Sequence, residues 1–176
     1  MTSLLSRVIV GVKNMLTKRG ETEFTDLETK IGTSFQTSNV LVFIPEILNE
    51  TVTKIKNDTV NYIFFLAESH QLKHILVVYS QITPRALDIL TGYQVYEIEL
   101  FREKMMLFDP TVHKKTPPHL KMTPEEVEAE LPGIHLEHLP SIKETDVIMR
   151  FYNWKAGSVI KVIRPDGPSY RLIIAN

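Results

Sequence analysis

The first twenty residues alternate between apolar and basic positions at helical spacing. The apolar set is Leu4, Leu5, Val8, Val12, Met15 and Leu16. Basic residues lie mostly on the other side, and no acidic residue precedes Glu21. This pattern predicts a helix that buries one stripe in a domain and ends at Gly20. A mitochondrial presequence or a membrane-surface helix has a similar pattern and is the alternative, whereas Arg7 and Lys13 argue against a secretory signal peptide.

Short β-branched and aromatic runs follow the first helix. Thr25 or Asp26 can cap a helical turn near Leu27–Ile31. Two short strands are then predicted, at Thr33–Phe35 and Val40–Ile44, and Pro45 closes the second because it has no amide hydrogen to donate.

A run of alternating helix and strand signals occupies the middle of the chain. In order, the predicted elements are a helix capped by Asn49 that runs toward Ala67, a buried strand at Ile75–Tyr79, a helix begun by Thr83-Pro84 and ended by Gly92 at its C′ position, and a strand at Tyr93–Leu100. An order of strand, helix, strand, helix, strand predicts a mixed or parallel sheet with right-handed crossovers.

Proline density changes the pattern after Phe108. Residues 109–124 contain four prolines and two histidines, which predicts a linker lying over a surface. Thr123-Pro124 begins a short helix, Thr145 or Asp146 begins another, and the tail forms two strands around Pro165–Pro168. We therefore expect an α+β protein of two domains, 1–108 with a mixed sheet and 109–176 ending in a hairpin.

Composition narrows the possible chemistry. The 176 residues include 20 Lys+Arg, 21 Asp+Glu and no cysteine, for a formal net charge of −1. A cysteine-free chain has no disulfide scaffold, thiol nucleophile or thiolate metal site. The longest apolar runs fall far short of the roughly 20 residues that cross a bilayer, so we expect no membrane partner.

No catalytic constellation stands out, and we expect no catalytic residue, metal, cofactor or small-molecule substrate. His70 and His74 share a helical spacing but lack a third ligand, and the acidic run Glu125–Glu130 is typical of an exposed helix start. From Ser141 onward, six basic residues outnumber three acidic ones, with aromatic residues among them. Arg, Tyr and Trp are frequent at protein interfaces, so we weight protein contact above nucleic-acid contact there.

The C-terminal residues resemble one family in detail. The similar segments are Leu139–Asp146, Arg150-Phe151-Tyr152, Lys155–Pro165 and Tyr170–Ile174. They resemble the C-terminal domain of the fifth subunit shared by the eukaryotic nuclear RNA polymerases, a domain that corresponds to one small subunit of the archaeal enzyme. Upstream, His74–Tyr79 and the following Thr83-Pro84-Arg85-Ala86 resemble that family's jaw strand and its Thr-Pro-Ser-Ala loop, with Arg85 in place of serine.

The sequence also departs from the family pattern. Val147 stands where the family usually has proline, and the segment between Gly20 and Val40 is much shorter than in cellular members. These departures indicate a divergent lineage, and a large DNA virus that encodes its own polymerase is one source that would account for them, beside a cellular one. Localisation follows the origin: the nucleus if cellular, and the virion and host cytoplasm or nucleus if viral.

The resemblance implies a non-catalytic polymerase subunit with two contact regions. Thr83, Pro84 and Arg85 would lie near downstream duplex DNA. The second domain would dock on the largest subunit, beside other polymerase subunits, through Leu139, Pro140, Asp146, Arg150, Tyr152, Lys161, Arg164, Tyr170 and Arg171. The alternatives are a free-standing nucleic-acid-binding adaptor with the same fold and a small metal-dependent nuclease.

Overall fold

The computed structural model of the chain describes residues 3–45, 47–48, 51–52 and 54–175. These residues pack as two separate units, the first ending at Phe108 and the second beginning at Asp109. Each unit combines helices with a mixed sheet, which confirms the predicted α+β class. No helix within the described residues is long and apolar enough to span a bilayer.

The first unit is built on a five-stranded sheet. Its elements are α1 (Leu4–Lys18), β1 (Thr25–Leu27), β2 (Thr33–Gln36), β3 (Val40–Ile44), β4 (Ile47–Leu48), β5 (Thr51–Val52), α2 (Asn57–Ser69), β6 (His74–Tyr79), α3 (Pro84–Gly92) and β7 (Glu97–Arg102). The strand order is β1-β2-β3-β6-β7, with β4 and β5 forming a separate small hairpin. The first three strands are antiparallel, and β3, β6 and β7 are parallel. The two successive strand–helix–strand units are therefore confirmed.

Helices cover both faces of this sheet. α2 and α3 pack on one face, against Leu41 and Phe43 of β3 and their neighbours Ile75 and Val77 on β6. α1 covers the other face. Arg19 at its end binds Glu99, and Glu99 points away from the first face because it alternates along β7 with residues that pack there. The α1 residues Val8, Val12, Met15 and Leu16 are fully buried, as expected for a helix that belongs to a domain core.

The second unit is built on a four-stranded sheet. Its elements are β8 (His119–Lys121), α4 (Pro124–Glu130), β9 (Ser141–Lys143), α5 (Val147–Tyr152), β10 (Val159–Arg164) and β11 (Gly167–Ile174). The strand order is β8-β10-β11-β9, antiparallel except for the parallel pair β11 and β9. α5 packs against Ile160 and Val162 on one face, while Leu131 at the end of α4 packs with Val159 on the other.

Four predictions for the first unit are wrong in detail. Residues Thr25–Leu27 form an edge strand paired with β2, where a capped helical turn was expected, because pairing supplies partners for backbone groups that a single turn leaves open. The expected cap Asn49 lies outside the described residues, and α2 begins only at Asn57. Gly92 is the last helical residue, so it is not the left-handed C′ residue, and β7 begins at Glu97.

The proline-rich segment 109–124 is not a linker. Within it, His119–Lys121 forms β8, which pairs antiparallel with β10. Asp109 also caps a 3-10 turn at Pro110–Val112, where its Oδ1 accepts a hydrogen bond from the amide of Thr111 at 2.9 Å. Proline is tolerated at such a turn and beside an edge strand, so the segment forms an edge of the second unit's own sheet.

Candidate functional site

The predicted DNA-facing residues lie at the start of α3, at the carboxyl end of β6. Thr83 caps the helix, its Oγ1 accepting a hydrogen bond from the amide of Ala86 at 3.2 Å, and Pro84 occupies the first turn. Pro84 and Arg85 are exposed. The Thr-Pro pair thus has a local structural role, since it fixes the start of α3 and with it the position from which the Arg85 side chain projects.

A second segment holds this loop in place. The amide of Ile55 donates to the carbonyl of Gln81 at 2.9 Å, and the amide of Thr83 donates to the carbonyl of Ile55 at 3.0 Å. Ile55 is completely buried, while Lys54 and Lys56 on either side of it are exposed. A residue at the centre of an extended tripeptide faces opposite to its neighbours, which explains this alternation.

Three cationic side chains therefore share one edge of the first unit. Lys54 and Lys56 come from one strand of this backbone pairing and Arg85 from just beyond the other, and we call the three residues the basic edge. Asp58, exposed in the first turn of α2, reduces the local positive charge. Of these three residues, only Arg85 was predicted from the sequence, because local spacing does not show that Ile55 pairs beside residues 81–83. The Lys-Ile-Lys alternation was the available signal.

His74, considered above as a metal ligand, has a different partner. Its Nε2 lies 2.7 Å from Oε1 of Glu99, and the Arg19 guanidinium binds the same carboxylate at 2.6 and 2.9 Å. Burial alone would raise the pKa of Glu99, but hydrogen bonds from His74 and Arg19 outweigh it and hold that pKa at about 2. His70 ends α2, so the two histidines do not share a helical face. Within the described residues, no three acidic or histidine side chains are grouped to hold a metal ion.

In the second unit, the predicted docking residues near β9 support the sheet. Leu139 packs against the core beneath α4 and is partly buried. The carbonyl of Pro140, an exposed residue, accepts a hydrogen bond from the amide of Leu172 at 3.0 Å. Arg171 reaches the carbonyl of Ser141 at 3.4 Å and links β11 to β9.

The predicted docking residues of the α5 region include one member of an aromatic pair. Asp146 caps the helix, its Oδ1 accepting from the amide of Ile148 at 2.9 Å. Tyr152 stacks on Trp154 with the ring centroids 4.5 Å apart. Arg150 is half-buried on the same helix. These three predicted residues therefore lie together on one face of the second sheet.

Lys161 and Tyr170 lie on the other face. Both bind Glu130, an acidic residue that was predicted to lie on an exposed helix. Lys161 Nζ lies 2.7 Å from both carboxylate oxygens of Glu130, and the Tyr170 hydroxyl donates to the same group at 2.5 Å. Hydrogen bonds from Lys161 and then Tyr170 lower the pKa of Glu130, and the same contacts raise the pKa of both partners. Glu130 thereby ties the end of α4 to the sheet. The remaining predicted docking residue, Arg164, is exposed at the end of the β10–β11 hairpin.

Five of the nine predicted docking residues therefore lie on two opposite faces of the second sheet. Those on α5 lie on the face that buries Ile160 and Val162, whereas Lys161 and Tyr170 lie on the face that carries α4. Sequence spacing could not separate them, since the division depends on which side of each strand faces which helix.

Comparison with known proteins identifies relatives across both units. The family model for the RNA polymerase Rpb5 C-terminal domain matches residues 108–174. The chain is 30% identical over 142 residues to "DNA-directed RNA polymerases I, II, and III subunit rpabc1" of Dictyostelium discoideum, a match that covers 78% of this chain and 70% of that protein. The RPABC1 proteins of Caenorhabditis briggsae and Caenorhabditis elegans are 31% and 30% identical, and the matches cover 66% and 56% of their lengths. The chain therefore belongs to the Rpb5 family.

Proposed function

We propose that this chain is a non-catalytic subunit of a multisubunit DNA-directed RNA polymerase. One observation carries the proposal: the similarity to the Dictyostelium polymerase subunit extends over 78% of the chain, well beyond the 67 residues of the matched C-terminal model. A relative that shared only the C-terminal unit would support a shared docking module alone. Similarity over both units supports the same role in the same kind of assembly.

The second unit is proposed to dock on the largest polymerase subunit and to contact other subunits. Support comes from its surface chemistry. α5 carries Arg150 and Tyr152, Tyr152 stacks on Trp154 just after the helix, and these residue types are frequent anchors of protein interfaces. Lys161 and Tyr170 act first within the unit, by fixing α4 through Glu130. We therefore expect the α5 face to contribute more of the docking energy than the Lys161 side.

The first unit is proposed to form part of the jaw near downstream duplex DNA. The basic edge offers three exposed cations on a rigid support, because Ile55 beneath them is fully buried and hydrogen-bonded to the loop of residues 81–83. Such contacts position a duplex through its phosphates without reading its sequence. A chain with a formal charge of −1 needs the field of its neighbours to hold DNA strongly.

Recovery of an affinity-tagged copy from its native cells tests the polymerase assignment. The proposal predicts that the tagged chain brings down the two largest polymerase subunits in stoichiometric amount and in a salt-resistant complex. Recovery of a free monomer that binds DNA by itself at micromolar concentration would instead support a free-standing adaptor. The same cells show the site of action, which is the nucleus for a cellular protein and the virion and host cell for a viral one.

A further inference from the structure

A concave cleft in the second unit belongs to none of the contacts described so far. Its volume is about 530 Å³, and it lies between residues 114–118 and the end of the β10–β11 hairpin at residues 163–166. A hydrogen bond of 2.9 Å from the amide of Ile163 to the carbonyl of Pro118 joins its two walls. A second, of 2.8 Å from the amide of Thr116 to the carbonyl of His113, fixes a turn in the first wall.

The walls are stiff and partly apolar. Three of the lining residues are prolines, at positions 117, 118 and 165, whose rings restrict the backbone. Ile163 lies between them with 37% of its surface exposed, a large apolar side chain left open to a concave site. A preformed cleft with an exposed apolar floor is suited to bind a side chain of similar character.

The charges around the cleft are mostly positive. Lys114, Lys115 and Arg164 line it and are exposed, against a single acidic residue, Asp166. Three cations beside an apolar floor complement a ligand that carries carboxylates next to a large apolar group. Prolines 117 and 118 have no amide hydrogen to offer, so an added β-strand would find few backbone donors on this wall.

We propose that this cleft binds a short acidic peptide segment of a partner protein, with one large apolar side chain seated on Ile163 and flanking carboxylates paired with Lys114, Lys115 and Arg164. A polypeptide fits better than a nucleic acid for two reasons. No aromatic side chain lines the cleft to stack on a base, and a phosphate backbone would leave the exposed apolar surface of Ile163 uncovered. The inference goes beyond assembly into the polymerase, since neither lysine is among the predicted docking residues, although Arg164 is.

Fluorescence anisotropy with the full chain tests the proposal. The probe is a fluorescein-labelled peptide of sequence Glu-Asp-Leu-Asp-Glu-Leu, titrated at low and moderate salt. Replacing both lysines (Lys114→Glu with Lys115→Glu) is expected to weaken binding by about tenfold or more, and added salt should weaken binding to the unaltered chain. Ile163→Ser and a probe with both leucines changed to serine should each lose affinity as well.

The matched control is Lys143→Glu, which should leave binding unchanged. Lys143 is exposed on β9, at the opposite edge of the same sheet. Equal loss with this control, or no loss with the double lysine variant, would overturn the proposal. So would tighter binding of a labelled oligothymidylate through the same two lysines, because the cleft would then be a nucleic-acid site. Copurification of the double lysine variant with the largest polymerase subunits separates this question from assembly, and we expect it to be normal.

Discussion

Gly11 shows how a single residue determines the packing of the first unit. A Cβ atom at this position would lie 1.7 Å from the carbonyl oxygen of Met106, in the 3-10 helix Glu103–Leu107. No side chain fits there, so α1 can approach this backbone only because residue 11 has none. The sequence shows a glycine within a helix but gives no sign of the segment that crosses it.

Gly11→Ala is therefore expected to destabilise the first unit by about 1–3 kcal/mol, although alanine is the better helix former. Urea unfolding followed by circular dichroism measures the change. Gly92→Ala is the matched control, since a Cβ there meets nothing within 4 Å and its φ is not positive. An unchanged unfolding midpoint for Gly11→Ala would show that α1 and residues 103–107 do not pack this closely.

The Glu99 carboxylate predicts a pH dependence of stability. Its folded pKa of about 2 lies below the usual 4.5, so its stabilisation is fully present above about pH 5 and is lost as the pH falls toward 2. A shift of this size corresponds to about 3 kcal/mol at neutral pH. We expect Glu99→Gln to be much less stable at pH 7 and to lose less further stability between pH 5 and pH 3 than the unaltered chain.

Hydrogen exchange of the α1 amides, which Arg19 ties to Glu99, measures this effect within the first unit. Glu23→Gln, at an exposed position, serves as the control and should follow the unaltered chain. If Glu99→Gln kept the full acid-dependent loss of protection, the Arg19–Glu99–His74 cluster would not control acid stability.

Side-chain roles were the hardest feature to predict from the sequence. The spacing of Glu130 predicts only that it is one of several acidic residues on an exposed helix. In the structure it binds Lys161 and Tyr170, which lie 31 and 40 positions later. Likewise, His74 and Arg19 both bind Glu99, and the three residues belong to separate segments of the chain. Such contacts depend on the assembled sheet, and local periodicity contains no information about them.

At the scale of elements, the cap of α3 links local sequence to the basic edge. The Thr83 hydroxyl accepts a hydrogen bond from the amide of Ala86 and so defines where Arg85 leaves the surface. Thr83→Ala is expected to cost about 1 kcal/mol and to fray the first turn of α3, whereas Thr83→Ser retains the hydroxyl and should restore both. Hydrogen exchange at the amides of residues 85–87 measures the fraying, and equal protection in the two variants would contradict the role of the cap.

Element types were more predictable than element ends. The strands β3 and β6, the capped starts of α3, α4 and α5 and the final hairpin all follow from β-branched runs, Thr-Pro or Asp caps and the turn at Pro165-Asp166. The failures share one cause, which is pairing between distant segments. β1 pairs with β2, β8 pairs with β10, and residue 55 pairs beside residue 82, and each pairing overrides a local signal for a turn, a linker or a helix.

At the scale of the whole molecule, the basic edge predicts a graded, salt-dependent contribution to DNA binding. We consider the triple variant in which alanine replaces Lys54, Lys56 and Arg85. Polymerase assembled with this variant should form transcribing complexes with a shorter lifetime. The loss of three phosphate contacts should lower the salt slope of DNA binding by about 3, with no change in sequence preference. Assembly of the variant into the enzyme should remain normal.

Lys73→Ala provides the matched control, because Lys73 is exposed at the amino end of β6, opposite the basic edge. An equal effect of this control would mean that the general charge of the unit matters rather than the edge. An unchanged salt response of the triple variant would contradict the proposed position of the edge beside downstream DNA.

We propose that the chain works as a polymerase subunit and docks through its second unit. This proposal is tested by the mass of the native complex that contains the tagged chain, compared with the mass of the species that contains a copy truncated after Pro140. The truncation removes β9, α5, β10 and β11 and so most of the second sheet. We expect the full chain to appear in a complex with the mass of a complete polymerase and the truncated copy to run free. A full chain that runs alone, or a truncated copy that still assembles, would contradict this proposal.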